Sequence, residues 1–437
     1  MTRPVRANRW QDLGPLPSLP RDVRLSVIIP VRDPSVALAR TVAALESQSL
    51  DPGRFEVIVV DDGSEDPVEI PGPEIDLRVV RQETDGRFGA GRARNTGARA
   101  ASGGVLLFLD ADVVAGHTVL ERALRWFAAA PYAVLTGVLD FADFDGLDAS
   151  AVGRFVRAGE LGSHLDPGPG QTWREVHFAR THDLTVEVPD MFRVTIGALL
   201  GVGRELYELA GGFRELGLRG IEDVETGYRL QNTGGLMVLD RELQAWHQGR
   251  RFFDSRSAAK AKRDREPAMR DLLPLPAFRP DDHPEIPSVP RILATLDATD
   301  LEAESVERHV RAFGACPRRD VALMIEGVSV READPRVHEA GTPGLSPVDL
   351  AAVPVRVNLT GEWLPGPDSF ERLDDLVTSS GVGVVHVMGH DGDAATAASA
   401  RALGRAHLVG AVDRVRCAEE LFGVRWVTNR AVGFRPA

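Results

Sequence analysis

The run Val105 to Asp112, V-L-L-F-L-D-A-D, constrains this chain more than any other stretch: a short unbroken apolar segment runs straight into two acids one residue apart. Continuous Val, Leu and Phe over so few residues suit a strand covered on both faces, and in open α/β sheets ligands sit at the carboxyl ends of such strands. Asp110 and Asp112 fall where a ligand would be. Two readings of the pair compete. The acids can be solvated in a turn, or they can hold a hard divalent cation, which takes oxygen ligands and is often shared between carboxylates and substrate phosphates.

Neighbouring segments repeat the pattern. Leu25 to Ile29 is a buried-strand run stopped by Pro30, Val36 to Leu45 has apolar residues at helical spacing, and Phe55 to Val60 is a second strand ending in Asp61-Asp62-Gly63-Ser64. Strand, helix and strand make a βαβ unit with parallel strands, so their carboxyl ends face one way. A third strand is expected over Leu77 to Val80, followed by D-G-R-F-G-A-G-R-A-R-N-T-G-A from Asp85 to Ala98. Its glycines and alanines suggest a loop entering a helix, whose N-terminus with arginines nearby favours an anion; a packed helix with solvated arginines is the alternative.

A helix follows over Val119 to Ala129, then loops and short helices over residues 140 to 190, an apolar segment from Thr195 to Val202 and a short helix from Glu205 to Ala210. Glu222 and Asp223 open a helical pattern, a place where acids commonly serve as caps and dipole complements. Met237 to Leu239 reads as a strand, with Ala245-Trp246-His247-Gln248-Gly249 beyond it.

Composition narrows the function classes. With 437 residues the chain has room for two or three domains. A formal charge of -13 argues against general affinity for nucleic acid or anionic membrane. Cys316 and Cys417 alone supply neither a disulfide framework nor a cysteine metal site, which points to a reducing compartment. No apolar run has signal-peptide or membrane-spanning character, so a cytoplasmic protein without a transmembrane segment is expected. Pro4, Pro15, Pro17 and Pro20 exclude a regular helix from residues 1–22, a surface arm that Trp10 could anchor.

In this order, D-G-R-F-G-A-G-R-A-R-N-T-G, L-F-L-D-A-D, I-E-D-V-E-T-G-Y-R-L and W-H-Q-G resemble a family 2 glycosyltransferase of the GT-A nucleotide-diphospho-sugar fold, and are similar to the bacterial chondroitin-polymerase type of transferase domain. The resemblance covers residues 24 to 250. It implies an α/β fold with a mostly parallel sheet flanked by helices. It also implies a metal-dependent, inverting hexosyl- or N-acetylhexosaminyl-transferase that moves a sugar from a nucleotide-sugar, usually UDP-linked, to the hydroxyl of a saccharide, peptide or small metabolite.

By the same likeness, Pro30 and Val31 line the base pocket and Asp62 hydrogen-bonds the base. Arg94 holds the nucleotide portion, and Asp110 and Ala111 contact the donor near the ribose. Asp112 and His247 bind Mn2+ or Mg2+, with the donor diphosphate completing the shell. Asp223 is the general base, and Glu222 orients the acceptor or supports that base. Arg250, Arg251 and the cluster from Lys260 to Arg265 could close over the diphosphate, a solvated charged helix being the alternative.

Departures stand at Gly197-Ala198-Leu199, where relatives carry Gly-Gly-Asn, and at Leu218-Arg219-Gly220-Ile221, where an aromatic residue often precedes the acidic pair. Acceptor recognition therefore does not carry over. A sugar nucleotidyltransferase and a non-catalytic nucleotide-sugar-binding scaffold are the other readings. Pro30-Val31-Arg32 stands against the first, where a glycine-rich basic turn is needed, and the four retained residues Asp62, Asp112, Asp223 and His247 stand against the second.

Past about residue 280 the composition turns to proline and acid, and the chain starts again. Arg24-Leu-Ser-Val-Ile-Ile matches Arg291-Ile-Leu-Ala-Thr-Leu, the segment from Phe55 matches that from Asp320, and Leu109-Asp-Ala-Asp matches Leu359-Thr-Gly-Glu. The expected layout is an arm over 1–22, a GT-A domain over 23–255, a charged and proline-rich linker or closing segment over 256–287, and a smaller α/β domain over 288–437. That last domain is expected to be a degenerate copy resembling the nucleotide half of the first, with a structural, dimerising or acceptor-presenting role, an independent βα domain aligned by chance being the alternative.

Overall fold

The computed structural model describes residues 3–20, 22–82, 89–168, 172–217, 220–249, 255–279, 285–330, 334–340, 345–379, 381–390 and 392–437. The first apolar run is strand β1 (Leu25–Val31), followed by α1 (Val36–Leu45), whose N-cap Ser35 accepts from the Ala37 N–H, and by β2 (Phe55–Asp61), buried along its whole length. Then come β3 (Leu77–Arg81), α2 (Ala90–Ala100), the fully buried β4 (Val105–Leu109), β5 (Val113–Ala115), α3 (Val119–Ala129) and β6 (Ala133–Asp143). The stretch expected as loops and short helices carries α4 (Ala149–Ala158), the two-residue β7 (Asp166–Pro167) and α5 (Thr172–Arg180). The series continues with β8 (Leu199–Gly203), α6 (Arg204–Leu209), α7 (Glu222–Asn232), β9 (Leu236–Gln248) and α8 (Ser255–Leu272).

Among the described residues these strands form one sheet in the order β3-β2-β1-β4-β8-β6-β9-β5, with β7 on β6. Pairs β3·β2, β2·β1, β1·β4 and β6·β9 are parallel, while β8 runs antiparallel between β4 and β6. This is a mixed, mainly parallel sheet, as the resemblance implies, and the βαβ expectation for β1, α1 and β2 holds.

Two local expectations are corrected. Pro30 does not stop β1: pairing with β2 runs on to Val31↔Asp61, whereas pairing with β4 ends at Ile28↔Phe108. Proline has no N–H to donate, so it ends one ladder of a central strand and spares the other. The strand at Met237 to Leu239 is also longer than its apolar run, since β9 carries W-H-Q to its end by shifting register against β6 between Gly137 and Val138. At that shift Gly137 has no room for a side chain, because a Cβ would lie 2.0 Å from the Leu243 carbonyl oxygen.

The N-terminal arm is tied down by two residues rather than Trp10 alone. The Trp10 ring meets Trp126 edge-on at 5.6 Å, and the buried Asn8 side chain donates to the carbonyls of Leu184 and Met237 and accepts from the Met237 N–H.

The chain divides into two compact units, Met1–Gln231 with Leu236–Arg265, and Asn232–Gly235 with Glu266–Ala437. The second unit comprises β10 (Ile292–Asp297), α9 (Ala303–Gly314), β11 (Val321–Glu326), β12 (Val337–Glu339), α10 (Pro347–Ala352), β13 (Val355–Leu359), β14 (Trp363–Leu364), α11 (Ser369–Val377), β15 (Val384–Met388), β16 (Asp393–Ser399), α12 (Ala400–Leu408), α13 (Arg414–Phe422), β17 (Val424–Thr428), α14 (Asn429–Val432) and β18 (Arg435–Pro436). Its sheet order is β12-β11-β10-β13-β16-β15-β17, with the same parallel and antiparallel senses as β3-β2-β1-β4-β8-β6-β9.

The repeat is therefore more extensive than the nucleotide half, because β15, β16 and β17 copy β6, β8 and the first part of β9. Of the three, β16 is the one that sequence pattern hides for a physical reason: it reads D-A-A-T-A-A-S and has too little side-chain bulk to signal a strand. Register also moves one alignment by a residue, since Leu25 pairs Phe55 while Ile292 pairs Val321 rather than Asp320.

Candidate active site

Asp61 and Asp62 leave the end of β2 with different duties. Asp61 is consumed by its own loop: it accepts from the N–H groups of Ser64 at 2.8 Å and Val68 at 3.3 Å and from Arg81 Nη1 at 3.0 Å. Burial pushes its carboxyl up, but those donors outweigh the burial and hold it low. Asp62 accepts from Gln82 Nε2 at 2.7 Å and from the Gly89 N–H at 2.9 Å, and its own N–H bonds Val31 O at 2.8 Å beside the half-buried Pro30. Burial raises its carboxyl in spite of the Gly89 N–H, Arg32 and Arg92.

At the end of β4 the Asp110 carboxylate accepts from Arg94 Nη2 at 2.7 Å, and Arg94 Nη1 lies 3.9 Å from Glu222 Oε1. Arg94 is buried on α2 over the Phe213 ring, its charge stabilised against desolvation by Asp110, Glu222 and Asp223. Gly197 supplies the space. A Cβ there would stand 2.4 Å from Arg94 Cζ, so the departure at Gly197-Ala198-Leu199 keeps the one glycine that lets the guanidinium in.

The acidic pair opens α7, and part of it does act as a cap: Glu222 Oε2 accepts from the N–H groups of Gly220 at 2.7 Å and Ile221 at 3.1 Å. Asp223 accepts from the Val224 N–H at 2.9 Å and the Gly197 N–H at 3.4 Å. Burial raises both carboxyls; the Asp223 charge adds to the rise at Glu222, and Arg94 moderates it at Asp223. Beneath them the buried Glu225 bonds Arg229 Nη2 at 2.6 Å and Arg214 Nε at 2.8 Å, and Asn95 brackets Phe213 through its N–H at 2.9 Å and its carbonyl at 2.8 Å.

Pairing of β5 with β9 sets Val113 opposite His247 and brings His247 Nε2 to 3.5 Å from Asp112 Oδ1. His247 Nδ1 lies 3.1 Å from Gln248 O, so a proton on Nδ1 leaves the Nε2 lone pair facing Asp112. Burial raises the Asp112 carboxyl, with His247 opposing and Asp110 adding. Gln248 Nε2 donates to Ala37 O at 2.9 Å, and Thr41 Oγ donates to Ala111 O at 2.9 Å, which fastens the D-A-D turn to α1. Among the described residues no group of three or more His, Cys, Asp or Glu is placed to hold a metal. One carboxylate and one imidazole suit a divalent cation whose remaining ligands come from elsewhere.

All ten expected residues thus lie around the carboxyl ends of β1, β2 and β4 and the segments packed there. Gln82 and Thr41 are not singled out by the sequence, since their only signal is their partner, while Gly197 and Gln248 stand in named segments without these roles. Asp85 to Phe88, Leu218, Arg219, Arg250 and Arg251 lie outside the described residues. Of the basic cluster, Lys260 is exposed and pairs with Asp264 at 2.7 Å, whereas Arg265 Nη1 donates to Gly220 O at 2.9 Å.

Residues 26–185 match the family model described as Glycosyl transferase family 2. Validoxylamine A glucosyltransferase of Streptomyces hygroscopicus subsp. limoneus is 32% identical over 253 residues, 55% of this chain and 55% of its own length. Hyaluronan synthase of Pasteurella multocida is 27% identical over 241 residues, 52% of this chain and 24% of its own. The chain spans about half the length of the first of these and less of the second. Among solved structures, mannosyltransferase PcManGT from Pyrobaculum calidifontis in complex with GDP-Man and Mn2+ aligns at 19% identity and a TM-score of 0.40, covering 61% of this chain and 71% of that one.

Proposed function

Because the first unit is a family 2 glycosyltransferase domain, we propose that the protein transfers a sugar from a UDP-sugar to an acceptor hydroxyl with inversion of configuration. One observation carries this reading: Arg94 on Asp110, the Glu222-Asp223 pair beside that guanidinium, and Asp112 facing His247 all converge at the carboxyl end of β4.

In this reading Pro30, Val31 and Asp62 take the base, and Arg94, Asp110 and Ala111 hold the rest of the nucleotide. Asp223 accepts the proton of the acceptor hydroxyl. The acceptor oxygen bonds the anomeric carbon from the face opposite the diphosphate as the carbon–oxygen bond to the diphosphate breaks, its electron pair leaving with the diphosphate. Burial favours this use of Asp223, since a raised carboxyl is a stronger base, and the N–H groups of Gly197 and Val224 orient its two oxygens. Glu222, held through Oε2 by its own helix N-terminus, supports the base by fixing Arg94. Asp112 and His247 would hold Mn2+ or Mg2+, whose charge offsets that developing on the departing diphosphate.

The second unit keeps the sheet but not the chemistry. Thr360 and Glu362 occupy the places of Asp110 and Asp112, and the Trp363↔Pro436 register, set against Val113↔His247, puts Pro436 where the histidine stands. Its role in this reading is structural, dimerising or acceptor-presenting. No helix among the described residues is long and apolar enough to cross a membrane, and both cysteines are free thiols, which supports a cytoplasmic site of action.

The test is the anomeric configuration of the product formed from UDP-sugars, determined by proton NMR, beside an Asp223→Asn variant. Inversion, with the variant binding donor but transferring roughly 10²–10⁴-fold more slowly, is expected. A retained configuration or near-normal transfer by the variant overturns the mechanism.

A further inference from the structure

Asp62 sits at the end of a hydrogen-bond chain that runs in one direction. Arg99 Nη2 is 2.9 Å from Thr96 Oγ, Thr96 Oγ is 2.6 Å from Gln82 Oε1, and Gln82 Nε2 is 2.7 Å from Asp62 Oδ1. A guanidinium can only donate, so Thr96 Oγ accepts from Arg99 and its single proton is left for Gln82. That fixes the Gln82 amide, with its oxygen toward Thr96 and its NH2 toward Asp62. Turned over, it would press its own oxygen against Asp62, and the Thr96 hydroxyl would lose its acceptor. Gln82 and Asp62 are both buried, where such a mismatch is most costly. The other Asp62 oxygen also receives a donor, the Gly89 N–H. Among the described residues, the groups bonding the Asp62 carboxylate therefore treat it as an acceptor.

We propose that Thr96 and Gln82 are positioning residues for nucleobase selection, an inference that rests on Asp62 being the base contact. By donating to Asp62 they favour its ionised form and hold it in place, which admits a base whose pairing edge presents a ring N–H, as uracil and guanine do. They turn away a base that presents a ring nitrogen lone pair there, as cytosine and adenine do, because acceptor would then face acceptor. Arg99, at the outer end, donates to Thr96 Oγ.

The experiment is calorimetric titration of UDP, GDP, CDP and ADP, with Mn2+, into the full chain and its Thr96→Val, Thr96→Ser and Asp62→Asn variants. Wild type should bind UDP or GDP at least tenfold more tightly than CDP. Thr96→Val, nearly isosteric, removes the donor that anchors the Gln82 oxygen, loosens the hold of Gln82 on Asp62 and should shrink that ratio roughly tenfold, the scale of one hydrogen bond to a charged group. Thr96→Ser should restore it. If Thr96→Val weakens all four nucleotides equally and leaves the ratio unchanged, the relay is refuted and Thr96 is merely structural. If Asp62→Asn collapses the ratio while Thr96→Val does not, the relay alone falls. If Asp62→Asn changes neither affinity nor ratio, or wild type binds no nucleoside diphosphate, the base-contact reading fails and takes the relay with it.

Discussion

Glu56 offers a stability measurement that separates structural acids from working ones. It lies near the start of β2, the end of that strand remote from Asp62, with its side chain 1% exposed. Ser26 Oγ donates to it from β1 at 2.7 Å, the Ser102 N–H and hydroxyl each donate at 2.7 Å, and Arg78 of β3 lies at 2.8 Å. One carboxylate thereby clips three strands and the segment that leads into β4.

Burial pushes the Glu56 carboxyl up, but the bonds from Ser102, Ser26 and Arg78 prevail and bring it from 4.5 down to about 2. At about 1.4 kcal/mol per pH unit, that difference stabilises the folded unit by about 3 kcal/mol. Because the folded value is the depressed one, the contribution is complete above pH 4.5 and is lost as pH falls from there toward 2.

Glu56→Gln removes the charge and turns an amide N–H toward groups that are themselves donors. For a unit of this size it should lower the melting temperature by about 6–12 °C at neutral pH. The gap to wild type should narrow on acidification below pH 4.5, and transfer at low temperature should survive, since the site lies at the other end of the sheet. Thermal unfolding followed by circular dichroism across that pH range is the assay. A gap below about 2 °C at neutral pH, or one that widens in acid, would refute the reasoning.

Asp223 should behave in the opposite sense. Its folded carboxyl is raised by burial, so the folded state binds more protons than the unfolded one and stability declines as pH rises through the raised value; Asp223→Asn should flatten that slope and melt higher at neutral pH. A variant no more stable than wild type under those conditions would contradict it. His247→Ala should weaken Mn2+-dependent UDP binding at least tenfold by calorimetry while leaving metal-free binding unchanged; equal loss with and without Mn2+ would remove His247 from the metal. Gly197→Ala should push Arg94 off Asp110 at a cost of roughly 1–3 kcal/mol in stability and lower UDP affinity, and a crystal structure of the variant with Arg94 unmoved would disprove the account.

Much of the first unit was legible without coordinates, because the signals were local. Val36 to Leu45 and Val119 to Ala129 become α1 and α3 with the limits their apolar spacing suggests, and V-L-L-F-L becomes a strand buried on both faces. Elements that depart from a clean pattern were harder: the last part of β9 mixes acids, arginine and glutamine, and β16 is mostly alanine. Both are strands because of what they pair with.

The sequence alone determined which residue types stand at the strand ends and helix starts, and the order in which they come. Burial drives apolar runs into the sheet, and the polar residues that end those runs are left at its carboxyl edge. Only the tertiary structure decided which of those groups meet. Asp112 reaches His247 because β5 pairs with the far end of β9, and Arg94 reaches Asp110 because Gly197, on another segment, leaves it room. Asp61 is bound by its own loop while Asp62 is held by Gln82, which Thr96 bonds in turn, and by the Gly89 N–H. Apart from Asp61, each of these is a polar group finding a partner outside its own segment, and no local pattern encodes that choice.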